Sequence, residues 1–549
     1  MRRIPLTASV FSLLTLACTR TPVPSTASTP APRPLPTQHP PPAIAPSRPD
    51  SNPTPAVRVR QPPVPKPLPE VPALDGPLSI RVVYPPANHL LTARDSNFIL
   101  GSTGSGQSRL TINGAEVEVH PNGAFLAWLP IPAGDRPRYD LVAAKGQEST
   151  ATSVTVRRPP PGAPSPPTPT SELVPPRIAE LTNVNDDATS DTDKVSILRP
   201  TSGGTYKWFL FPQTRLEVTG TRGDYFRVKL DAQLEAWAES KEVTLLPEST
   251  TVRRRIASNA RVTASAGWSD LRIPVTSRPA YQVEERRDAL VLTLYGTLSN
   301  VDVVNFATDD DVIRDVTWEQ AATDRVRFTV LLRRAPFGFI TLWERGAFVL
   351  RVRRTPSVDA ARPLAGRVIA VDPGHPPIGS TGPTGLYEGD AVLAVAEQLK
   401  PMLESRGATV VMTRTTRDPV ALGNRAITAR RENAEALVSI HLNAVADGAN
   451  PLRTNGTGTY FFHDHSEALA RAVQRGLVRE LGLRDLGINY DNLAVARASW
   501  MPAILCEGAF VIVPEQEAAL RNPDFQKSYA RGIVEGLEDY FRALAQDKP

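Results

Sequence analysis

Proline sets the organisation of this chain. The 549 residues carry 55 prolines, massed in PVPSTASTPAPRPLPTQHPPP near the start and in RRPPPGAPSPP from Arg157. Such runs cannot join a helix or a central strand, and a chain of this length interrupted this way divides into several small cores. The expectation is a multidomain protein: small all-β domains and proline-rich linkers, then a C-terminal α/β domain with a mostly parallel sheet flanked by helices. Residues 19–75 and 158–176 read as linkers. In polyproline II geometry, at ~3.1 Å per residue, the first has an upper reach on the order of 170 Å.

The opening MRRIPLTASVFSLLTLAC has two arginines before an apolar run too short to span a membrane, as a secretory leader over 1–18 does. Export to the periplasm or cell envelope follows. Leu14 to Cys18 resembles a lipoprotein cleavage box, with Thr15 departing from the usual aliphatic residue; it implies membrane attachment through a lipidated Cys18, with ordinary cleavage after a small residue as the alternative. Cys506 is the only other cysteine, so internal disulfides do not stabilise the exported chain. The 62 basic and 57 acidic residues nearly cancel, which argues against nucleic acid as a partner and permits attraction to an anionic polymer.

Three β-rich stretches lie upstream. Residues 76–157 alternate in segments such as LTINGAEVEVH, with Asn113-Gly114 and Asn122-Gly123 as hairpin turns, and resemble a small Ig-like sandwich. Residues 177–248 resemble an SH3-like barrel; Tyr206, Trp208, Tyr225, Phe226 and Trp237 there could line a peptide groove or fill the core. Residues 251–356 show alternation at Leu271/Ile273/Val275, Leu290/Leu292/Leu294 and Phe348/Leu350/Val352, implying strands with one buried face, and resemble an AMIN localisation domain. Its arginine-rich flanks, Arg253 to Arg255 and Arg351 to Arg354, could meet an anionic polymer or protect a solvated edge strand.

From Gly366 strands alternate with helical periodicity, which predicts an α/β domain over 365–546. VDPGH ending at His375, LYEGD around Glu388, VSIHLNA around His441 and ILCEGAF around Glu507 supply two imidazoles and two carboxylates. His375 and His441 fall at strand ends and Glu388 on the loop entering the first helix, where open α/β sheets place ligands. Two neutral imidazoles and one carboxylate suit one Zn²⁺ with a free position, where a water can ionise near pH ~7 instead of ~15.7; Mg²⁺ or Ca²⁺ would want oxygen donors throughout. Glu507, closing the strand AILCE, is the candidate proton shuttle to the departing amine, and Cys506 beside it faces the core.

These four motifs, in order, resemble the zinc-dependent N-acetylmuramoyl-L-alanine amidases of the amidase-3 type over about a third of the chain. The resemblance implies zinc held by His375, Glu388 and His441, catalysis by Glu507, and peptidoglycan as substrate. The bond cut would join the lactyl group of N-acetylmuramic acid to L-alanine. Pro376 and Pro377 stand where that family shows glycines, and Gly389 where it shows lysine, so loop shape and substrate fit differ. Cell-division or wall-assembly proteins are candidate partners. In the regulated members a helix after the SIH strand blocks the zinc; residues 443–457 here lack helical periodicity, so no such plug is expected. His463 and His465 form either a further metal-binding pair or exposed residues at a helix start capped by Asp464 or Ser466, with His463 near enough to the cleft to touch substrate. Arg414, Arg425 and Arg484 could orient substrate carboxylates or be ordinary surface or core-bridging arginines. The competing functions are a zinc wall peptidase of different bond specificity and a wall-binding lipoprotein without activity.

Overall fold

The C-terminal domain is one six-stranded sheet with helices on it. In spatial order its strands are Thr409–Met412, Val368–Pro373, Ala436–Asn443, Ala503–Phe510, Thr457–Phe461 and Asp485–Tyr490. Every neighbouring pair is parallel except Thr457–Phe461 against Ala503–Phe510. The central strands are continuous apolar runs because both faces are covered. Ile369, Val371, Val438, Ile440 and Ile504 are fully buried in the same cluster as Val392, Val395 and Leu399 of α1 (Glu388–Glu404), Leu469, Val473 and Leu477 of α4 (Glu467–Leu481), and Ile533 and Leu537 of α6 (Pro523–Gln546). Ala429 of α2 (Leu422–Arg431) packs with Ala370 and Leu437 in a second cluster. The short helices are α3 (Pro451–Thr454) and α5 (Pro514–Arg521).

These assignments come from a computed structural model that describes residues 66–159, 168–182, 195–252, 254–307 and 309–546. The leader, Cys18, most of the first linker and Arg253 lie outside the described residues. Those described belong to one compact unit, Pro63–Pro549. Among them no helix is long and apolar enough to cross a membrane.

Upstream, strands from Arg81 to Thr155 form a three-stranded and a four-stranded sheet around Leu91, Ile99, Phe125 and Leu141. Asn113 and Gly114 both adopt positive φ in the two-residue turn between Arg109–Ile112 and Ala115–Val117, the hairpin expected there. Asn122-Gly123 also turns, but it joins strands of different sheets, so it is a corner and not a hairpin. The second linker ends earlier than expected, because a strand, Ser171–Leu181, begins inside it. Pro175 and Pro176 are tolerated where the pairing jumps from Val218↔Arg177 to Gly220↔Glu172, leaving no ladder bond for them to donate.

From Ala179 to Val352 buried residues form one continuous cluster across the boundary expected near 250. Trp208 and Trp237 are buried in the first part, while Tyr206 stays 39% exposed with the Arg497 guanidinium over its ring. The strand Ala289–Tyr295 is buried at every position, so the expectation of one buried face fails for this central strand. Several arginines of these flanks are tied to protein groups, while Arg254 stays exposed. Arg255 is buried and donates to the Arg278 carbonyl at 2.9 Å, Arg351 grips Asp270 through two bonds of 2.8 Å, and Arg353 is buried against the Asn433 and Ala434 carbonyls.

Candidate functional site

His375 follows the end of the strand Val368–Pro373, in the left-handed region at φ 57°. Gly374 before it brings the backbone against the other imidazole, since a Cβ there would lie 2.4 Å from the His441 ring. His441 sits within Ala436–Asn443, and Glu507 lies directly beside it in register on Ala503–Phe510. That strand runs past Glu507 to Phe510, three residues beyond the expected end. Glu388 is the first residue of α1 and not a loop residue; a carboxylate at a helix N-terminus faces the positive end of the dipole.

The donor atoms of His375, Glu388 and His441 all lie within 4.8 Å of one another, as one shared ion requires. Glu388 Oε1 is 2.9 Å from His375 Nε2 and 3.4 Å from His441 Nδ1. The carboxylate is further fixed by backbone donors, Leu442 N–H at 3.0 Å and Ser380 N–H at 2.9 Å. Burial works to raise its pKa, but the hydrogen bonds and charges of His375 and His441 outweigh that and hold it at about 2. Glu388 is therefore an anion waiting for cationic company. The donor set, two imidazole nitrogens and one carboxylate, suits zinc and fits poorly with Mg²⁺ or Ca²⁺.

Glu507 behaves oppositely. Its Oε2 is closed to solvent and has no hydrogen-bond partner among the described residues. Burial first, and then the Glu388 charge, push its pKa well above the ordinary carboxylate value. Two neighbouring carboxyl groups with pKa values driven apart are a recurrent acid/base arrangement. Cys506 is buried on the core side, as expected.

The site rests on residues whose roles the sequence did not reveal. Asp372, fully buried, accepts from Arg425 at 2.8 Å and from Ser439 at 2.6 Å. Arg425 also donates to the carbonyls of Pro373 at 2.9 Å and His375 at 3.1 Å, and Arg414 to those of Gly374 and Gly389, each at 2.7 Å. Both arginines are buried and bridge the turn that carries His375, so of the two roles considered for them the core-bridging one holds; Arg484 is exposed. Glu517 of α5, buried, accepts from Thr384 and Leu386 N–H at about 3.0 Å and anchors the loop before Glu388. The Tyr529 hydroxyl on α6 lies 3.1 Å from the His441 carbonyl, 2.9 Å from the Cys506 carbonyl and 2.9 Å from Gly508 N–H, pinning the two strands together. Nothing in the mixed letters QKSYARG around Tyr529 marks that tyrosine; only a DPGH turn needing many carbonyl partners hints at the arginines.

The segment after His441 contains one short turn of helix, α3, where Asn450 accepts from Leu452 N–H at 3.0 Å. His463 and His465 are not exposed at a helix start: both point inward toward Glu285, and the Ser466 hydroxyl accepts from Ala503 N–H and does not cap α4.

Residues 369–539 match the amidase-3 type family, described as N-acetylmuramoyl-L-alanine amidase. An uncharacterized protein of Bacillus subtilis, YqiI, is 32% identical over 207 residues, which are 36% of this chain and 98% of that protein. A probable cell wall amidase, LytH, of Staphylococcus aureus is 33% identical over 185 residues, 33% of this chain and 60% of that protein. The chain thus spans about 60% of the length of the LytH relative. Among solved structures, an N-acetylmuramoyl-L-alanine amidase from Clostridium difficile 630 matches at 36% identity and TM-score 0.30, covering 32% of this chain and 96% of that one. Through its C-terminal α/β domain, this chain belongs to the N-acetylmuramoyl-L-alanine amidase family.

Proposed function

We propose that the protein is an exported peptidoglycan hydrolase that cleaves the amide between the lactyl group of N-acetylmuramic acid and L-alanine, using one zinc ion. The observation that carries this reading is the convergence of His375, Glu388 and His441 with Glu507 in register beside them. His375, Glu388 and His441 would hold the ion. Bound there, zinc supplies Lewis acidity, which acidifies a water and polarises a carbonyl.

The chain's own residues do the rest. Glu388, anionic and doubly held by backbone donors, offsets part of the cation's charge and fixes the two imidazoles around it. Glu507 takes the proton from the attacking water and returns it to the leaving nitrogen, without which the amine leaves as an unstable anion. Its raised pKa suits the acid half of that cycle. Arg425 and Arg414 keep the His375 turn in place through its carbonyls.

The remaining assignments belong to the same reading. The leader at 1–18 exports the chain, and lipidation of Cys18 tethers it in the cell envelope. The Ig-like, SH3-like and AMIN-like regions position it on the wall beside division or assembly proteins, and no helical plug closes the site.

Purified protein should release stem peptides beginning with free alanine from isolated walls, read by mass spectrometry, and a chelator should abolish release. Cleavage within the stem peptide would identify a peptidase instead. No release by zinc-loaded protein would leave a wall-binding role.

A further inference from the structure

We propose a second divalent transition-metal site, of zinc class, formed by Glu285, His463 and His465 at the junction between the β domain spanning Arg255–Arg353 and the C-terminal domain. Their donor atoms also lie within 4.8 Å of one another. Glu285 comes from the strand Ala280–Arg286; the histidines come from the connection between the strand Thr457–Phe461 and α4. The site therefore staples two domains.

Ring chemistry argues for a cation here. His463 Nε2 lies 3.0 Å from the Arg497 carbonyl and His465 Nε2 3.5 Å from the Met501 carbonyl. A carbonyl only accepts, so each Nε2 carries the hydrogen and each neutral ring presents a bare Nδ1. Both Nδ1 atoms face the same carboxylate, at 2.9 Å for His465 and 3.6 Å for His463. Lone pairs converging on an anion repel unless protons or a metal ion sit among them. Metal-ligating histidines characteristically donate their other ring nitrogen to a carbonyl, as here. Tetrahedral bonds of about 2.0–2.1 Å separate donors by about 3.3 Å, between the two observed spacings.

Two further observations favour metal over protons. The Glu285 side chain is 7% exposed, and its Oε2, facing His463, has no hydrogen-bond partner among the described residues. Burial pushes the His463 ring toward its neutral form, against the pull of Glu285. A cleft of 820 Å³, lined by Glu285, His463 and Asp464 together with Tyr206 and Arg497, reaches two of the three donors and gives an ion a route in. The role is structural: Arg353 and Phe339 of the β domain already bond to backbone at Asn433, Ala434 and Ser499, and the ion adds a third anchor to that seam.

The site stands apart from the hydrolytic centre, and its test separates the two. Full-length protein equilibrated with Zn²⁺ and freed of excess should contain two equivalents by elemental analysis. His463→Ala and His375→Ala should each retain one, and the double variant none. Two equivalents in His463→Ala would overturn the proposal, as would one equivalent in wild type lost through His375→Ala alone. One equivalent lost only through His463→Ala would instead overturn the reading of the hydrolytic centre. Should the variants fold poorly, anomalous diffraction from zinc-equilibrated wild-type crystals decides the matter. A peak among Glu285, His463 and His465 is expected, and its absence refutes the site.

Discussion

At the scale of single residues, neighbouring carboxyl groups are pushed in opposite directions by what each can touch. Glu388 keeps its charge through two imidazoles and two backbone donors, whereas Glu507 has an oxygen buried with no partner. Replacing Glu507 with glutamine removes the proton carrier we propose and changes shape little. Wall hydrolysis by Glu507→Gln should fall by roughly 10²–10⁴, the usual worth of general acid–base catalysis, with zinc content and thermal midpoint maintained. Retained activity would move the proton transfer to another group. Asp372 and Arg425 make the opposite case, a buried ion pair at the foot of the His375 turn. Arg425→Met strands the Asp372 charge and should cost about 3–5 kcal/mol in denaturant titrations, and adding Asp372→Asn should recover part of it. No recovery in the double variant would mean that the bonds from Arg425 to carbonyls, and not the ion pair, carry its contribution.

At the scale of elements, α6 does more than cover the sheet. Its Tyr529 hydroxyl is fully buried between the strands that carry His441 and Glu507, and Gly508 leaves room for the ring, since a Cβ there would sit 2.1 Å from it. Tyr529→Phe takes the acceptor from Gly508 N–H and the one donor that the His441 and Cys506 carbonyls share, and should destabilise by about 1–3 kcal/mol. Because it holds the strands in register, kcat should drop more than KM rises; unchanged kinetics in a folded variant would reduce the tyrosine to packing. This contact also marks the limit of what the letters show. The strands leading to His375 and His441 were legible from their apolar runs, although the second continues two residues past His441, and α1, α2 and α4 from their periodicity. The edge strand Asp485–Tyr490, with no fully buried position, left no pattern to read. Arg425, Glu517 and Tyr529 were illegible as site supports, since their partners, backbone groups and for Arg425 also the Asp372 carboxylate, lie distant in sequence. His463 and His465 looked exposed because Glu285, the residue that draws them inward, lies about 180 positions earlier.

At the scale of the whole molecule, the accessory domains are joined to the hydrolytic domain by buried polar contacts, which makes their attachment sensitive to pH. Asp447, on the segment following His441, reaches the first β region: its carboxylate accepts from Asn97 at 3.0 Å and from Thr92 N–H at 3.2 Å, meets His89 at 3.1 Å, and takes a short bond from the Tyr84 hydroxyl. Apolar contact runs across the same seam, with Phe98, Leu100 and Leu126 joining the core of the α/β domain. Burial raises the pKa of Asp447, but the Tyr84 hydroxyl and the other donors prevail and lower it below the ordinary value. A carboxylate lowered in the folded state stabilises above its unfolded pKa of ~3.9, and that contribution disappears as pH falls through the folded value. Asp447→Asn removes the charge while keeping the shape. The variant should be less stable than wild type by about 2 kcal/mol at pH ~7, with the gap closing as both are acidified below pH ~4. Thermal midpoints measured from neutral to acid pH would show the two curves converging. Parallel curves would mean that Asp447 is already neutral in the folded protein, and that the seam is held by its apolar contacts alone.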